Sequence, residues 1–241
     1  HLQIEAMKVG FAEIFSHLSD PVTMRVPVSD LLDDGYLSKH AERVKKDRAS
    51  VPSTLLASAP STVYLCAADD EGMMVSFIQS NFNGFGSGIV IPGTGIAMQN
   101  RGSGFTLEPG HPNEAAPGKR PFHTIIPGFA TQGDDPLMAF GVMGGHMQTQ
   151  GHVQTMVRMF VYGQNPQAAS DAPRWHVSES GDVLLEEGFD PDVARVLESR
   201  GHTVKSGQPS GLFGGGQFAL RLEDGYCAAS DHRKDGCALG F

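Results

Sequence analysis

A threonine at the start of one strand and small polar residues at the end of the next are the first candidates for chemistry. Two apolar runs of β-forming residues flank the acidic turn Asp69–Gly72, and this pattern predicts a β-hairpin. With a two-residue loop inside the turn, the register places Thr62 opposite Gln79, with Ser80 and Asn81 beside it. A hydroxyl ringed by small polar groups is suited to act as a nucleophile.

A pair of glycines supplies the second part of that chemistry. Gly144 and Gly145 follow a buried strand, where two backbone N–H groups can hold a developing oxyanion. An N-terminal threonine attacks amides with its own α-amine as general base, and the ordinary pKa of that amine is about 7.7–8.0. Thr62 acquires a free amine only if the Ser61–Thr62 bond is cut. We therefore expect self-cleavage there, with the Ser/Ala/Pro-rich residues 46–61 as a mobile linker.

Composition and charge narrow the function classes. The 241 residues have a formal net charge of -9 and no cluster of Lys and Arg, so we expect no nucleic-acid partner. No apolar run approaches the roughly 20 residues that a membrane span requires, so no membrane partner is expected. Three cysteines far apart argue against a disulfide framework. The compartment, cytoplasmic or periplasmic, and the oligomeric state stay open.

Helix and strand patterns along the chain predict one compact α/β body. Residues 1–16 carry an apolar helical stripe, and residues 190–200 combine an Asp190 N-cap with a glycine just past the helix end. Because the chain starts inside an amphipathic helix, we expect that it belongs to a longer polypeptide. Other helices are predicted at 30–33, 39–46, before Gly163 and after Pro166, and strands at 96–99, 123–127, 138–142, 217–222 and 226–229.

Two further patterns do not support a nucleotide or metal site. The glycine loop 84–88 lacks the Lys-Ser/Thr of a phosphate loop and is better explained as a turn with positive φ. No metal-ligand spacing relates the loop histidines His111, His123, His146 and His152. We therefore expect neither a metal nor a cofactor. The absence of a G-x-S-x-G motif disfavours a serine α/β-hydrolase.

A series of short segments, in order and spread over nearly the whole chain, resembles the γ-glutamyltransferase family of N-terminal-nucleophile hydrolases. They are residues 1–8 (HLQIEAMK), Thr62 with Gly72, and residues 85–90 (FGSGIV), 117–121 (PGKRP), 143–145 (MGG) and 231–236 (DHRKDG). The resemblance implies an α/β fold of the αββα sandwich type, incomplete because the upstream part of the large subunit is missing. It also implies that residues 1–61 end the large subunit and that residues 62–241 form the small, catalytic subunit.

The same resemblance assigns roles by position. Thr62 is implied to be the nucleophile and the autocleavage residue, and Ser80 takes the place of a threonine that supports the nucleophile's hydroxyl. Asn81 lies within one position of a substrate-binding asparagine. Gly144 and Gly145 are implied to form the oxyanion hole.

The substrate-binding positions depart from the transpeptidase pattern. Gly104 stands where the family has the acid that pairs with the glutamyl α-amino group. His123 and Thr124 stand where two adjacent serines hold the glutamyl α-carboxylate. Arg101 instead offers a cation suited to an acidic acyl group without an α-amine. These changes resemble the cephalosporin-acylase-like and oxamate-amidohydrolase-like branches of the family.

We therefore expect a self-processing amidohydrolase that forms an acyl-enzyme from a small amide with an anionic acyl part. Water or an acceptor amine then releases the acyl group. One alternative is a true γ-glutamyltransferase, in which Arg101 or residues upstream of the chain replace the lost acid. Another is an inactive or structural part of such an enzyme. The expected partners are the small-molecule amide and the missing part of the large subunit.

Overall fold

The computed structural model describes residues 1–50 and 60–241. The helices are α1 (Leu2–His17), α2 (Val28–Leu31), α3 (Asp34–Ala41), α4 (Met147–Met156), α5 (Pro166–Asp171) and α6 (Pro191–Ser199). The strands are β1 (Pro60–Ala68), β2 (Met74–Asn83), β3 (Gly128–Gln132), β4 (Asp135–Met143), β5 (Trp175–Val177), β6 (Val183–Glu186), β7 (Val204–Gln208), β8 (Gly215–Leu222) and β9 (Gly225–Ser230). No helix among these residues is long and apolar enough to cross a membrane.

Two sheets are stacked at the centre of the molecule. The β1–β2 hairpin packs on the antiparallel sheet β3-β4-β8-β9. Tyr64 of β1 is buried with its ring against Gly141 of β4, where a Cβ would lie 2.6 Å from the ring. The Tyr64 hydroxyl hydrogen-bonds Ser76 Oγ at 2.8 Å, and Ser76 Oγ donates to the Phe140 carbonyl at 3.5 Å. Glycine at position 141 therefore allows the two sheets to approach each other.

Helix α4 covers the opposite face of β4. Val142 points away from the hairpin because side chains alternate along a strand, and it packs on Gly151 of α4. A Cβ at Gly151 would lie 2.5 Å from Val142 Cγ1, so this glycine permits close packing of helix on sheet. The helix continues through a π-helical turn, Val157–Val161. Helices, sheet and hairpin thus form three consecutive layers.

The outer face of the hairpin is apolar and exposed. Side chains alternate between the two faces of β1 and β2, so that Tyr64 is buried while its neighbours point outward. Val63, Leu65, Val75 and Phe77 are each 44–60% exposed. These four side chains form a contiguous exposed apolar face, unlike the single scattered hydrophobic residues that are normal on a protein surface.

A second core lies between α1, α6 and the mixed sheet β5-β6-β7. Phe11 of α1, Trp175 of β5 and Leu185 of β6 are buried in it with Leu197 of α6. Strands β6 and β7 pair in parallel, with α6 as the crossover between them. Helix α6 has the predicted N-cap, since Asp190 Oδ1 accepts from the Asp192 N–H at 2.8 Å. Helix α1 therefore shares one hydrophobic core with β5, β6 and α6.

A buried ion-pair network joins β6, β8, the residue before β5 and the segment after β9. Asp231 Oδ2 accepts from Arg174 Nη2 at 2.6 Å and from the Gly216 N–H at 2.8 Å. Arg233 forms two hydrogen bonds to Glu186, at 2.6 and 2.7 Å. Asp231 and Arg233 of the closing DHRKDG segment are therefore each paired with an opposite charge, as buried charges require.

The hairpin register differs from the predicted one by one residue. Thr62 pairs with Ser80 and not with Gln79. The turn has three residues between Asp69 and Met73, because the Gly72 N–H bonds the Asp69 carbonyl at 3.2 Å with Gly72 at φ 91°. A three-residue loop with a left-handed glycine shifts every pair relative to a two-residue loop.

Two strand predictions are wrong. Residues 123–127 form no strand, because the Ile125 N–H bonds His123 Nδ1 and the Ile126 N–H bonds Gln148 Oε1 in place of a ladder partner. Residues 96–99 form only an isolated bridge, between Ala97 and Val90.

The helices after α1 begin earlier than predicted, at Val28 and Asp34, and the strands of the β5-β6-β7 sheet were not predicted. The glycine loop 84–88 has the predicted positive φ at Gly84, Gly86 and Gly88. Most of the predicted mobile linker 46–61 lies outside the described residues.

Candidate active site

The two hydroxyls expected at the site are in contact. Thr62 Oγ1 donates to Ser80 Oγ at 3.1 Å across the β1–β2 pair, and both side chains are partly buried. Ser80 Oγ also accepts from the Phe82 N–H at 2.8 Å. Directly opposed residues share one face of a sheet, so the observed register brings the hydroxyls together. The Phe82 N–H thereby holds the Ser80 hydroxyl in place while Ser80 Oγ accepts the hydrogen bond from Thr62.

The strand pair is irregular where the cleavage is expected. Pro60 pairs with Asn83 and Thr62 with Ser80, so β2 contributes one more residue than β1 at this point. Phe82 in that stretch has φ 78°, a left-handed conformation that costs a bulky residue on the order of 1–2 kcal/mol. Such outliers cluster at functional sites. The backbone strain lies opposite the Ser61–Thr62 bond.

Arg101 is held over the strained residue. Its guanidinium carbon lies 4.9 Å from the centre of the Phe82 ring, a cation–π contact. Burial lowers the pKa of Arg101, and Nη1 is buried without a hydrogen-bond partner among the described residues. A buried donor without an acceptor is costly unless a ligand completes it. The sequence of contacts Thr62–Ser80–Phe82–Arg101 therefore connects the candidate nucleophile to an unsatisfied cation.

Gly104 is tightly enclosed. It ends a 3₁₀ turn that starts at Arg101, and a Cβ at Gly104 would lie 2.5 Å from the Phe122 carbonyl oxygen. The buried Asn113 links the Gly104 loop to the Phe122 segment. Its Nδ2 donates to the Gly104 carbonyl at 2.6 Å, and its Oδ1 accepts from the Phe122 N–H at 2.8 Å. In this conformation an acidic side chain has no room at position 104.

The remaining predicted binding residues lie around the same loop. His123 as a whole residue is exposed, but partial desolvation of its ring and the nearby charges of Arg101 and Arg120 lower its pKa. Thr124 is buried at 5% exposure. The Asn81 carbonyl accepts from the Asn100 N–H at 3.1 Å, so Asn81 joins the end of β2 to the Arg101 loop.

The glycine pair lies just before helix α4, whose N-cap is His146. Gly144 and Gly145 have φ 133° and 60°, and their carbonyls accept the N–H groups of Met147 and Gln148, each at 3.0 Å. Among the described residues, no hydrogen bond outside the strand ladders uses the N–H of either glycine. A cavity of about 480 Å³ borders Gly144 and is also lined by His176. Backbone N–H groups just before a helix N-terminus are suited to hold an anionic oxygen.

Thr62 lies on β1, which packs on β4, and the glycine pair directly follows β4. Between the hairpin and β4, Ser76, in register with Cys66, contacts Phe140, while Tyr64 packs on Gly141. No hydrogen bond joins Thr62 to either glycine among the described residues.

Three contributors were not predicted from the sequence: Phe82, Asn100 and Asn113. Asn100 Oδ1 accepts from the Asn83 N–H at 3.1 Å, and Asn113 joins two loop segments. Both asparagines flank or occupy the irregular segment 101–121, where a side-chain amide is a common substitute for a backbone partner. The Gly- and Pro-rich composition of residues 101–121 was the sequence signal that could have indicated these two asparagines. Nothing in the sequence indicates the positive φ of Phe82.

Comparison with known proteins decides the family. The sequence profile described as Gamma-glutamyltranspeptidase matches residues 1–241. The chain belongs to the γ-glutamyltranspeptidase family. It is 34% identical over its whole length to the glutathione hydrolase-like YwrD proenzyme of Bacillus subtilis and 36% identical to the oxamate amidohydrolase proenzyme of Klebsiella pneumoniae, covering 47% of each.

A solved structure has a similar fold over nearly the whole of this chain. The crystal structure of a cephalosporin acylase from Bacillus halodurans is similar with a TM-score of 0.90 and 46% identity, over 98% of this chain and 43% of that one. The expected fold class is confirmed: this γ-glutamyltranspeptidase-family chain is a partial region of the N-terminal-nucleophile hydrolase fold. It spans about half the length of the curated relatives it matches.

Proposed function

We propose that this chain carries the catalytic residues of a self-processing amidohydrolase, with Thr62 as nucleophile. The observation that supports this most strongly is the 3.1 Å hydrogen bond from Thr62 Oγ1 to Ser80 Oγ beside the strained Phe82. Ser80 orients the Thr62 hydroxyl, and cleavage of the Ser61–Thr62 bond supplies the amine that acts as general base. Residues 1–61 would then end the large subunit, and residues 62–241 would form the small one.

The proposed cycle has two steps. Thr62 Oγ attacks the amide carbonyl while its proton passes to the α-amine, and the N–H groups of Gly144 and Gly145 stabilise the oxyanion. The C–N bond breaks, and the leaving amine takes the proton. Water then attacks the acyl ester by the same route, which releases the acid and restores the Thr62 hydroxyl.

Arg101 indicates an anionic acyl group as the substrate class. Its buried Nη1 lacks an acceptor, and a carboxylate would complete it with a charge-assisted hydrogen bond. The enclosed Gly104 offers no acid for an α-ammonium group. The name of the Klebsiella relative, an oxamate amidohydrolase, agrees with a small amide that carries a carboxylate.

The test of the nucleophile uses the full natural polypeptide. Intact mass spectrometry of the parent protein should show two chains whose masses sum to the precursor plus one water. Thr62→Ala should give a single chain and no turnover. Thr62→Ser should cleave and turn over slowly, because it keeps a hydroxyl and an amine. Cleavage at 61–62 in Thr62→Ala would exclude Thr62 as the autocleavage residue.

A further inference from the structure

Three consecutive glycines, residues 214–216, lead into β8 and lie against the proposed oxyanion glycines. A Cβ at any of the three would overlap a neighbouring group. At Gly214 that group is the Met143 carbonyl oxygen, and a Cβ at Gly144 would in turn lie 3.1 Å from the Gly214 α-carbon. Gly214 also has φ 75°, a left-handed conformation that favours glycine. The backbone of residues 213–216, which we call the glycine segment, therefore contacts the Met143–Gly144 peptide directly.

This contact fixes the direction of the Gly144 N–H. Gly216 donates its N–H to Asp231 Oδ2 and accepts from the Asp231 N–H, so the preceding Gly215 turns its own polar groups toward its partner Met143. The Met143 carbonyl thus faces β8, and because the Met143–Gly144 peptide is trans, the Gly144 N–H points away from β8. On that side the pairing of β4 with β3 has already ended within the described part of the chain. The Gly144 N–H is therefore placed where a substrate oxygen can accept it.

The buried Arg174–Asp231 pair holds both ends of the glycine segment. Arg174 Nη1 donates to the Phe213 carbonyl at 2.8 Å at one end, and Asp231 Oδ2 accepts from the Gly216 N–H at 2.8 Å at the other. Arg174 Nη2 donates to Asp231 Oδ2 at 2.6 Å and so joins the two holders. Both side chains are 0–1% exposed, so solvent hardly screens their charges. The segment cannot move away from Met143 without breaking a buried, charge-assisted hydrogen bond.

Arg233 offers an internal comparison within the same buried network. Its side chain is as buried as that of Arg174, and it pairs with Glu186 and with Asp231 Oδ1. Its other hydrogen bonds go to carbonyls on either side of α5, and among the described residues none goes to the glycine segment. A network that only stabilises the fold predicts the same kinetic effect from loss of either arginine. A network that positions the segment predicts a difference between them.

We propose that Gly214 and Arg174 are positioning residues for the reaction. Gly214 seats the Met143 carbonyl, and Arg174, together with Asp231, holds Gly214 in place, so that the Gly144 N–H is directed at the developing oxyanion. This inference rests on the proposed function, in which Gly144 is part of the oxyanion hole. Removal of one oxyanion donor costs about 100- to 1000-fold in kcat. A donor that is turned but not removed keeps part of this effect, so we expect a loss of about tenfold or more.

The first test uses matched variants of the full natural polypeptide, with rates expressed per mole of free Thr62 amine. Arg174→Lys removes the planar fork, and Arg233→Lys makes the same change at the comparison site. Gly214→Ala and Gly163→Ala each place a Cβ at a left-handed φ, but a Cβ at Gly163 (φ 68°) meets nothing within 4 Å. Arg174→Lys and Gly214→Ala should lower kcat for glutaryl anilide about tenfold or more and change KM less than about twofold. Both controls should keep the kcat of the parent protein.

Two ligands separate binding of the transition state from binding of the ground state. 4-Boronobutyrate forms a tetrahedral adduct with a nucleophilic hydroxyl, whereas glutarate resembles the released acid. Arg174→Lys should weaken inhibition by the boronate by the same factor as kcat and leave inhibition by glutarate unchanged. Parent-like kcat in Arg174→Lys, an equal loss in Arg233→Lys, or a matching loss of glutarate binding would overturn the proposal. If Gly214→Ala does not fold, Arg174→Lys still decides the question.

A second test does not depend on catalysis. In Thr62→Ala protein, hydrogen exchange of the Gly215 amide reports whether it still faces the Met143 carbonyl. This exchange should be slow, and Arg174→Lys, but not Arg233→Lys, should speed it at least about tenfold. Unchanged exchange in Arg174→Lys would refute the positioning role even if Thr62 is the nucleophile. If exchange responds as expected but turnover of the parent protein does not require Thr62, the proposed function and the catalytic role of the segment are refuted, while its contact with Met143 stands.

Discussion

Replacement of Arg101 by methionine tests the proposed substrate class most directly. Methionine keeps an unbranched apolar stem over the Phe82 ring but removes the charge and all donors. A hydrogen bond to a charged group contributes about 1.5–3 kcal/mol. Since about 1.4 kcal/mol corresponds to a factor of ten, kcat/KM for an anionic amide should fall about 10- to 150-fold.

The assay compares three substrates with the matured full natural polypeptide. Glutaryl anilide carries the carboxylate, its methyl ester lacks the charge, and γ-glutamyl anilide adds an α-ammonium. Arg101→Met should lose activity on glutaryl anilide and little on the ester, and Arg101→Lys should lie between, because lysine keeps the charge without the planar fork. The midpoint of thermal unfolding should change little, because the lost cation–π contact with Phe82 is offset by removal of the buried Nη1 donor, which has no partner among the described residues.

Equal losses on the charged substrate and on its ester would refute the reasoning. That result would mean that Arg101 acts only by packing on Phe82. A parent protein that prefers γ-glutamyl anilide over glutaryl anilide would contradict the proposed substrate class and favour true γ-glutamyl transfer.

Three further predictions concern stability and specificity. Gly104→Asp should destabilise the protein by about 1–3 kcal/mol in urea unfolding, because its Cβ would overlap the Phe122 carbonyl, and it should not increase γ-glutamyl hydrolysis. Burial lowers the pKa of His152 to about 4 from an ordinary 6.5. The neutral ring therefore contributes fully to the free energy of unfolding above pH 6.5. Stability should fall by about 1.4 kcal/mol per pH unit between pH 6.5 and 4, and His152→Gln should remove that part of the slope. Asp231→Asn should cost about 3–5 kcal/mol in thermal unfolding, because it leaves the buried Arg174 without its counter-charge.

Local patterns predicted the parts of the fold that depend on neighbouring residues. The apolar stripe of residues 1–16, the capped helix near 190–200 and the strands of the β8–β9 hairpin all form as expected. The hairpin with Thr62 was predicted too, but with a register shifted by one residue. The turn caused this error, because one extra loop residue shifts every pair that follows.

Residues 123–127 show where a local pattern fails. Their apolar composition is typical of a strand, but the Ile126 N–H donates to Gln148 of α4. That partner lies 22 positions away and is brought into reach only by tertiary packing. The mixed sheet β5-β6-β7 was missed for a similar reason, since its short strands depend on the core they share with α1.

For the candidate site, the sequence by itself determined the residue types: hydroxyls at Thr62 and Ser80, a glycine pair after β4, and a cation with no acid in the Arg101 loop. The hydroxyls and the glycine pair follow from local composition and motif spacing, whereas the Arg101 loop was identified through the resemblance to the γ-glutamyltransferase family. Only the tertiary structure decided how they combine. The bulge in β2 forces Phe82 into a left-handed conformation beneath Arg101. The enclosed Gly104 loop leaves no space for an acid, because steric fit depends on residues that the chain brings together from far apart.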